Sequence, residues 1–262
     1  MATEVVSKRK QFANQLMEAE ESLIGMPALT SAEPKLTVEE AYLIQLENIG
    51  RKVAQGQRIV GKKIGLTSKA MQTLLGVDEP DYGHLLDRMV IENGAAVPKQ
   101  KVLQAKVEGE IAFVLKKDLK GPNVTTLDVL QATDYLLPAI EIVDSRIQDW
   151  KIKLPDTIAD NASSAFYVLG GKPTKLEDVD LELIGMALTK NGEIVNTGVG
   201  AAALGNPAKC VAWLANRLAD FDIPLLAGEV ILSGALSAAV EAKEGDSFTV
   251  RFAHLGEVSV RF

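Results

Sequence analysis

The sequence predicts an α+β protein in which a layer of helices precedes a mixed β core. Helical periodicity covers about the first fifty residues, and short β-rich runs with a few interspersed helices follow from Arg58 onward. These helices do not alternate regularly with the runs, which argues against a doubly wound parallel sheet and a (β/α)₈ barrel. We expect a helical cap over residues 1–57 and a mixed β domain over residues 58–262, together forming one structural unit.

Two helices are predicted in the cap. The apolar residues of the first are Val5, Phe12, Leu16, Ala19 and Leu23. The second begins at the capping pattern of Thr37 and Glu40 and ends near Gly56. Between them, the glycine and prolines of residues 25–34 indicate a connection.

Turn residues divide the remainder of the chain into strands and helices. The predicted strands are 58–64, 110–115, 139–143, 166–169, 183–189, 193–197, 230–233, 247–252 and 258–262. The predicted helices are 68–75, 126–135 and 207–219. Asn191 and Gly192 predict a tight hairpin because both residues tolerate positive φ.

Composition excludes several classes of protein. The 28 basic and 35 acidic residues give a net charge of −7, and the basic residues are dispersed, so we expect no nucleic-acid partner. Cys210 is the only cysteine, which rules out an intramolecular disulfide and a cysteine-rich metal site. The chain has neither a membrane-spanning apolar run nor a secretory start, so we expect a cytoplasmic protein without a membrane role.

Three glutamates suggest a cation site. Glu108 and Glu110 precede the apolar run 111–115, and residues two apart on a strand point to the same face, while Gly109 leaves the other face open to close approach. Glu141 lies in an apolar run, where an unpaired carboxylate is costly. Mg²⁺ or Mn²⁺ would resolve the repulsion between these carboxylates. Spacing alone favours the alternative, in which Glu108 and Glu110 lie on a solvated edge and Glu141 pairs with a basic residue.

Lys63 and Asp81 are candidate proton-transfer residues. Lys63 lies at a strand end between glycines and could orient a substrate carboxylate, or move a proton if its pKa is lowered. Asp81 follows a proline in a turn-like segment, residues 78–83, and could act as an acid or base. The alternatives are an exposed strand lysine and an Asx-turn residue.

Other polar residues carry weaker signals. Asp156 and the segment 160–164 could line a site or cap a turn, and His84 and His254 are interpreted as structural. The serines lack a nucleophile-elbow motif, and no nucleotide-binding motif is present. Cys210 is interpreted as core packing.

Seven ordered segments resemble the hydratase and decarboxylase branch of the fumarylacetoacetate hydrolase superfamily, and the resemblance spans nearly the whole chain. The segments are Val60–Ser68 (VGKKIGLTS), Glu79–Gly83 (EPDYG), Val107–Ala112 (VEGEIA), Leu137–Glu141 (LPAIE), Asp144–Trp150 (DSRIQDW), Ala159–Ser163 (ADNAS) and Gly228–Gly234 (GEVILSG).

The resemblance implies a mixed β-sandwich or β-roll with flanking helices and a set of site residues. The implied ligands of Mg²⁺ or Mn²⁺ are Glu108, Glu110 and Glu141, and the implied catalytic residues are Lys63 and Asp81. The implied substrate-binding residues are Leu66, Ser163, Ser233 and Gly234. Members of this branch form higher homo-oligomers, and a complex with a paired decarboxylase is a further expectation.

The implied activity is addition of water to 2-hydroxypenta-2,4-dienoate, through its 2-oxo tautomer, in aromatic meta-cleavage catabolism. The alternatives are 4-oxalocrotonate decarboxylation and hydration of 2-oxohept-3-ene-1,7-dioate. Decarboxylases of the branch tend to carry an apolar residue where this sequence has Asp81, which favours hydration. Residues 144–153 resemble the monoacid hydratases, whereas residues 66–71 with 79–83 resemble the dioate enzymes. A non-enzymatic alternative is a metal-stabilised protein that binds a small acid.

Overall fold

The computed structural model describes residues 2–262, without the side chains of residues 2–6, 74, 75 and 99. The helices are α1 (Ala2–Ser22), α2 (Leu29–Ala32), α3 (Val38–Ala54), α4 (Lys69–Leu75), α5 (Thr126–Ala132), α6 (Leu154–Ala159) and α7 (Pro207–Leu218). The strands are β1 (Ile59–Gly65), β2 (Asp81–Leu86), β3 (Val90–Ile91), β4 (Lys106–Leu115), β5 (Thr133–Val143), β6 (Ser164–Leu169), β7 (Gly185–Lys190), β8 (Glu193–Val199), β9 (Val230–Leu232), β10 (Val240–Glu241), β11 (Ser247–Phe252) and β12 (Gly256–Arg261). In the described part of the chain, no helix combines the length and apolarity needed to span a bilayer.

The N-terminal helices pack directly on the β core. Thr37 caps α3 with the predicted capping box, in which Thr37 and Glu40 each accept the other's backbone N–H. Phe12 and Leu16 of α1 are buried in the same hydrophobic cluster as Ile158 of α6. Because the helices and the β core share this cluster, we propose that residues 1–57 and 58–262 form one structural unit. Of the predicted apolar face of α1, the side chain of Val5 lies outside the described residues.

Two sheets form the core. The larger has eight strands, in the order β2-β1-β9-β4-β5-β6-β3 with β10 paired to β4, and the smaller has the order β12-β11-β7-β8. The pairs β1 with β9 and β3 with β6 are parallel, and the other neighbours are antiparallel. The predictions of a mixed sheet and of an α+β fold are confirmed.

The smaller sheet covers one face of β4 and β5 and so determines which way the glutamates point. A Cβ on Gly109 would lie 2.9 Å from Val250 Cγ1 and 3.2 Å from Met186 Sδ, both in the smaller sheet. Only a residue without a side chain fits here, as the sequence predicts. Since side chains alternate along a strand, Glu108 and Glu110 project from the opposite face.

The structure differs from the predicted elements at several places. Residues 81–86 form a fully buried strand, β2, and not the predicted turn, so Asp81 is the first residue of a strand. Helix α5 ends at Ala132, and residues 133–135 already belong to β5. Helix α6 lies in a segment for which the sequence predicts no helix. The Asn191–Gly192 hairpin is present, with φ of 53° and 86° at these two residues.

Candidate metal centre and active site

Three glutamates converge on the face of the large sheet opposite the smaller sheet. Glu108 of β4 is directly opposite Glu141 of β5, and Glu110 is two residues further along β4. Each offers a carboxylate oxygen that lies within 4.8 Å of those of the other two. Glu110 and Glu141 are fully buried and Glu108 is half-buried. The alternative of a solvated edge is therefore wrong, because these carboxylates lie on two central strands.

The glutamates have unsatisfied oxygens, which tests whether a cation fits. Glu110 Oε1 and both carboxylate oxygens of Glu141 are buried without a hydrogen-bond partner among the described residues. Burial, reinforced by the neighbouring glutamates, raises the pKa of Glu108 to about 7 and raises that of Glu110 well above its usual range. A set of three carboxylates with unused lone pairs suits a hard divalent cation. The cluster could therefore hold a divalent metal.

Lys63 is buried beside these carboxylates. Its Nζ lies 3.3 Å from Glu141 Oε2 and 3.6 Å from Asp81 Oδ1, and it donates a hydrogen bond of 3.2 Å to the carbonyl of Ala162. Burial alone lowers the pKa of Lys63, but the carboxylates of Glu141 and Asp81 outweigh it and raise that pKa. These carboxylates therefore favour the ammonium form of Lys63, which suits the predicted role of orienting a substrate carboxylate.

Asp81 meets Lys63 across the pair β1 and β2. Asp81 is the register partner of Gly65, and a Cβ on Gly65 would lie 2.3 Å from Asp81 Oδ1 and 2.7 Å from Lys63 Nζ. The missing side chain of Gly65 therefore creates the space that these two groups occupy. Oδ2 of Asp81 accepts a hydrogen bond of 2.9 Å from Thr157 Oγ1, while Oδ1 has no hydrogen-bond partner among the described residues.

A left-handed turn closes this side of the site. Asn161, Ala162 and Ser163 have φ of 53°, 50° and 55°, a conformation that costs roughly 1–2 kcal/mol for each residue other than glycine. The turn presents the Ala162 carbonyl to Lys63 and places Ser163 Oγ 3.4 Å from Thr157 Oγ1. Such strain at three successive residues indicates a functional constraint.

The four predicted substrate-binding residues lie around the glutamates and around Asp81 with its partners Gly65 and Thr157. Gly234 donates its N–H to Glu110 Oε2 at 2.7 Å, and the neighbouring Ser233 has a buried hydroxyl without a partner among the described residues. Ser163 lies in the left-handed turn beside Thr157. Leu66 follows Gly65 and has a positive φ of 54°. The structure thus brings the candidate residues of the sequence into one neighbourhood.

Several residues near the site were missed or left undecided. The sequence did not indicate Thr157, because this residue lies in the short helix α6, which no sequence pattern predicts. Asp156 accepts hydrogen bonds from Thr30 N and Oγ1 and from Lys153 N, so it is a capping and tethering residue. Asp160 forms a buried ion pair with Arg146. His84 is buried against Gln45, as its structural interpretation predicts.

The family follows from comparison with known proteins. The family described as "Fumarylacetoacetate (FAA) hydrolase C-terminal" matches residues 66–262. The chain belongs to the fumarylacetoacetate hydrolase family. This membership confirms the resemblance drawn from the seven segments.

Relatives in the family are similar over nearly their whole length. The chain is 48% identical over 259 residues to a 2-hydroxyhexa-2,4-dienoate hydratase of Comamonas testosteroni, covering 97% of this chain and 98% of the relative. It is 51% identical over 214 residues to a 2-hydroxypent-2,4-dienoate hydratase of Pseudomonas putida, covering 81% and 96%. Among solved structures, 4-oxalocrotonate decarboxylase from Pseudomonas putida G7, complexed with magnesium and adipate, superposes with a TM-score of 0.94 at 40% identity and covers 100% of this chain and 98% of that one.

Proposed function

We propose that the protein is a metal-dependent hydro-lyase that adds water to 2-hydroxypenta-2,4-dienoate and releases 4-hydroxy-2-oxopentanoate. The observation that carries the proposal is the convergence of three carboxylates beside Lys63 and Asp81 in one site, with oxygens of Glu110 and Glu141 that accept no hydrogen bond among the described residues. The sequence-based expectation of a hydratase is borne out by relatives that are themselves named hydratases. Aromatic meta-cleavage catabolism supplies such dienoates.

Glu108, Glu110 and Glu141 would hold the cation, which we propose to be Mg²⁺ or Mn²⁺. A divalent cation at this position supplies electrostatic stabilisation of negative charge on the carboxylate and 2-oxygen of a 2-oxo acid. The register of β4 and β5 brings the glutamates together, and the backbone N–H of Gly234 donates to Glu110 Oε2.

Asp81 would handle the protons, with Lys63 beside it. The ammonium of Lys63 would stabilise negative charge on substrate oxygens. The dienoate would first become the α,β-unsaturated 2-oxo acid by loss of its 2-hydroxyl proton and gain of a proton at C5. Oδ1 of Asp81, which accepts no hydrogen bond among the described residues, would then accept a proton from water as the water oxygen bonds to C4. A proton is delivered to C3, so that the product equals the unsaturated 2-oxo acid plus one water.

Four residues would position the substrate. The buried hydroxyl of Ser233 and the adjoining Gly234 lie next to the glutamates, so we propose that they border the metal-binding end of the acid. Ser163 lies beside Thr157, the hydrogen-bond donor to Asp81, and Leu66 follows Gly65, the register partner of Asp81, so we propose that both border the reacting carbons. The unsatisfied hydroxyl of Ser233 is available to donate to a substrate oxygen.

The test is loss of the ultraviolet absorbance of 2-hydroxypenta-2,4-dienoate in the presence of Mg²⁺ or Mn²⁺, with CO₂ measured in parallel. Disappearance without CO₂ supports the hydratase. Unchanged absorbance would indicate a protein that only binds small acids. Cytoplasmic location, a higher homo-oligomer and a complex with a paired decarboxylase stay predictions.

Two kinds of variant separate metal binding from proton transfer. Glu108→Gln and Glu141→Gln should lose metal binding, measured by calorimetry, together with turnover. Asp81→Ala should retain metal binding and lose water addition. Metal-dependent turnover that persists in both glutamine variants would refute the proposed ligands.

The second candidate is 4-oxalocrotonate decarboxylase, favoured by the superposition on that enzyme with a TM-score of 0.94. Asp81 beside Lys63 favours hydration, because water addition needs an acid–base group at this position. Release of CO₂ from 4-oxalocrotonate, with no turnover of the hydroxypentadienoate, would reverse this choice. Faster turnover of 2-oxohept-3-ene-1,7-dioate would make the diacid the preferred substrate.

A further inference from the structure

Thr157 makes a contact that distinguishes the two oxygens of Asp81. Its Oγ1 lies 2.9 Å from Asp81 Oδ2, and both residues are buried, with exposed fractions of 3% and 5%. Oδ1 lies 3.6 Å from Lys63 Nζ and has no hydrogen-bond partner among the described residues. One oxygen of the carboxylate thus accepts a hydrogen bond from Thr157, and the other faces Lys63 without accepting one.

The hydroxyl of Thr157 fixes the orientation of Asp81 because a carboxylate can rotate about its Cβ–Cγ bond. Such sp³–sp² torsions have broad energy wells, so packing or a hydrogen bond must select the angle. Gly65 leaves space around Oδ1, since a Cβ there would lie only 2.3 Å from that atom. The hydrogen bond from Thr157 to Oδ2 therefore stabilises the orientation in which Oδ1 faces Lys63.

Helix α6, which carries Thr157, is fixed at its first turn by the N-terminal helical layer. Asp156 is the residue before Thr157, and it accepts 2.9 Å and 2.7 Å hydrogen bonds from the N–H and hydroxyl of Thr30 in α2. Gln45 of α3 donates from Nε2 both to the Ile158 carbonyl and to the Tyr82 carbonyl, the residue after Asp81. The donor and the acceptor of the Thr157 hydrogen bond are thus held by the same helical layer.

We propose that Thr157 is a positioning residue for water addition, which orients Asp81 so that Oδ1, and not Oδ2, exchanges the proton. The proposal rests on the proposed function of Asp81 and adds the residue that orients its carboxylate. Among the described residues, the Thr157 hydroxyl has polar contacts with Asp81 Oδ2 and, at 3.4 Å, with Ser163 Oγ, and none with the three glutamates, so its loss should affect turnover and leave metal affinity unchanged.

The experiment compares wild type, Thr157→Val, Thr157→Ser and Thr133→Val in the holoenzyme. Thr157→Val keeps the side-chain shape and removes the donor, so kcat should fall by about 10- to 100-fold, while KM and Mg²⁺ affinity stay within about twofold. Thr157→Ser retains the hydroxyl and should recover kcat to within about threefold of wild type. Thr133 is a matched control, because it is equally buried and donates one 2.7 Å hydrogen bond, to the Val129 carbonyl, away from the site.

The control separates positioning from stability. Thr133→Val and Thr157→Val each remove a buried hydroxyl that donates one hydrogen bond, and Thr157→Val also removes the 3.4 Å contact with Ser163 Oγ. Both variants should show a decrease in Tm, but only Thr157→Val should lose kcat. Equal kcat in the two valine variants, or no recovery in Thr157→Ser, would overturn the proposal. Absence of hydration by the wild type would instead refute the proposed function, so the two failures are distinguishable.

Discussion

Substitution of Gly65 by alanine should disable the site without touching the metal ligands. The new Cβ would lie 2.3 Å from Asp81 Oδ1 and 2.7 Å from Lys63 Nζ, whereas ordinary van der Waals contact begins at 3.4 Å. Asp81 must therefore move by about 1 Å, and a displacement of that size in a catalytic group costs on the order of 10²-fold in rate. This loss corresponds to about 2.7 kcal/mol in activation free energy.

The assay follows dienoate absorbance with saturating Mg²⁺ and compares Gly65→Ala with Gly185→Ala. Gly185 also lies in a strand, but a Cβ there meets nothing within 4 Å, so this variant controls for the effect of alanine in a sheet. We expect kcat to fall only in Gly65→Ala, and calorimetry should give the same Mg²⁺ affinity for both variants. Equal kcat in the two variants would show that the space beside Asp81 is not needed for turnover.

Three further predictions concern stability. Burial lowers the pKa of His84 from 6.5 to about 3, so the unfolded state binds a proton at a higher pH than the folded state does. The free energy of unfolding should therefore fall as pH decreases from 6.5 towards 3, by up to about 1.4 kcal/mol per pH unit. Urea unfolding should show a shallower pH dependence in His84→Gln. Glu229→Gln should destabilise the fold by about 3–5 kcal/mol, because it leaves the buried Lys62 ammonium without its carboxylate. In urea unfolding, a Lys62→Met/Glu229→Leu double variant should recover most of this loss, because it removes both charges. Mg²⁺ should raise the Tm of the wild type, because it binds the folded state, and should not raise the Tm of Glu110→Gln. Equal Tm shifts of the two proteins in scanning calorimetry would show that the cation binds elsewhere.

The sequence could predict the side of the sheet that carries the metal ligands, but not their register. The spacing of Glu108 and Glu110 determines that they share a face, and Gly109 indicates that the other face is covered. Pairing with Glu141 depends on how β4 and β5 align, and helix α5 lies between these strands, so no short hairpin turn in the sequence indicates their register. The family resemblance supplied the third ligand.

Long-range contacts explain why the surroundings of Asp81 were mispredicted. Pro80 and Gly83 are typical of a turn, yet Gly83 lies in a buried strand because Asn161 packs on it, and a Cβ would lie 2.5 Å from the Asn161 carbonyl. The raised pKa of Lys63 likewise depends on carboxylates from β2, β4 and β5, which are distant in the sequence. Thr157 could not be found, since its acceptor is 76 positions away.

Asn161 also has a consequence for the behaviour of the protein at high concentration. Strand β2 lies at the end of the large sheet, and the Asn161 side chain accepts from the His84 N–H and donates to the His84 carbonyl. This amide pairs with the two backbone groups of His84, which an edge strand would otherwise offer to a strand of another molecule. A residue beside the site thus also blocks intermolecular pairing at this point of the sheet edge, and its loss should favour aggregation of the folded enzyme.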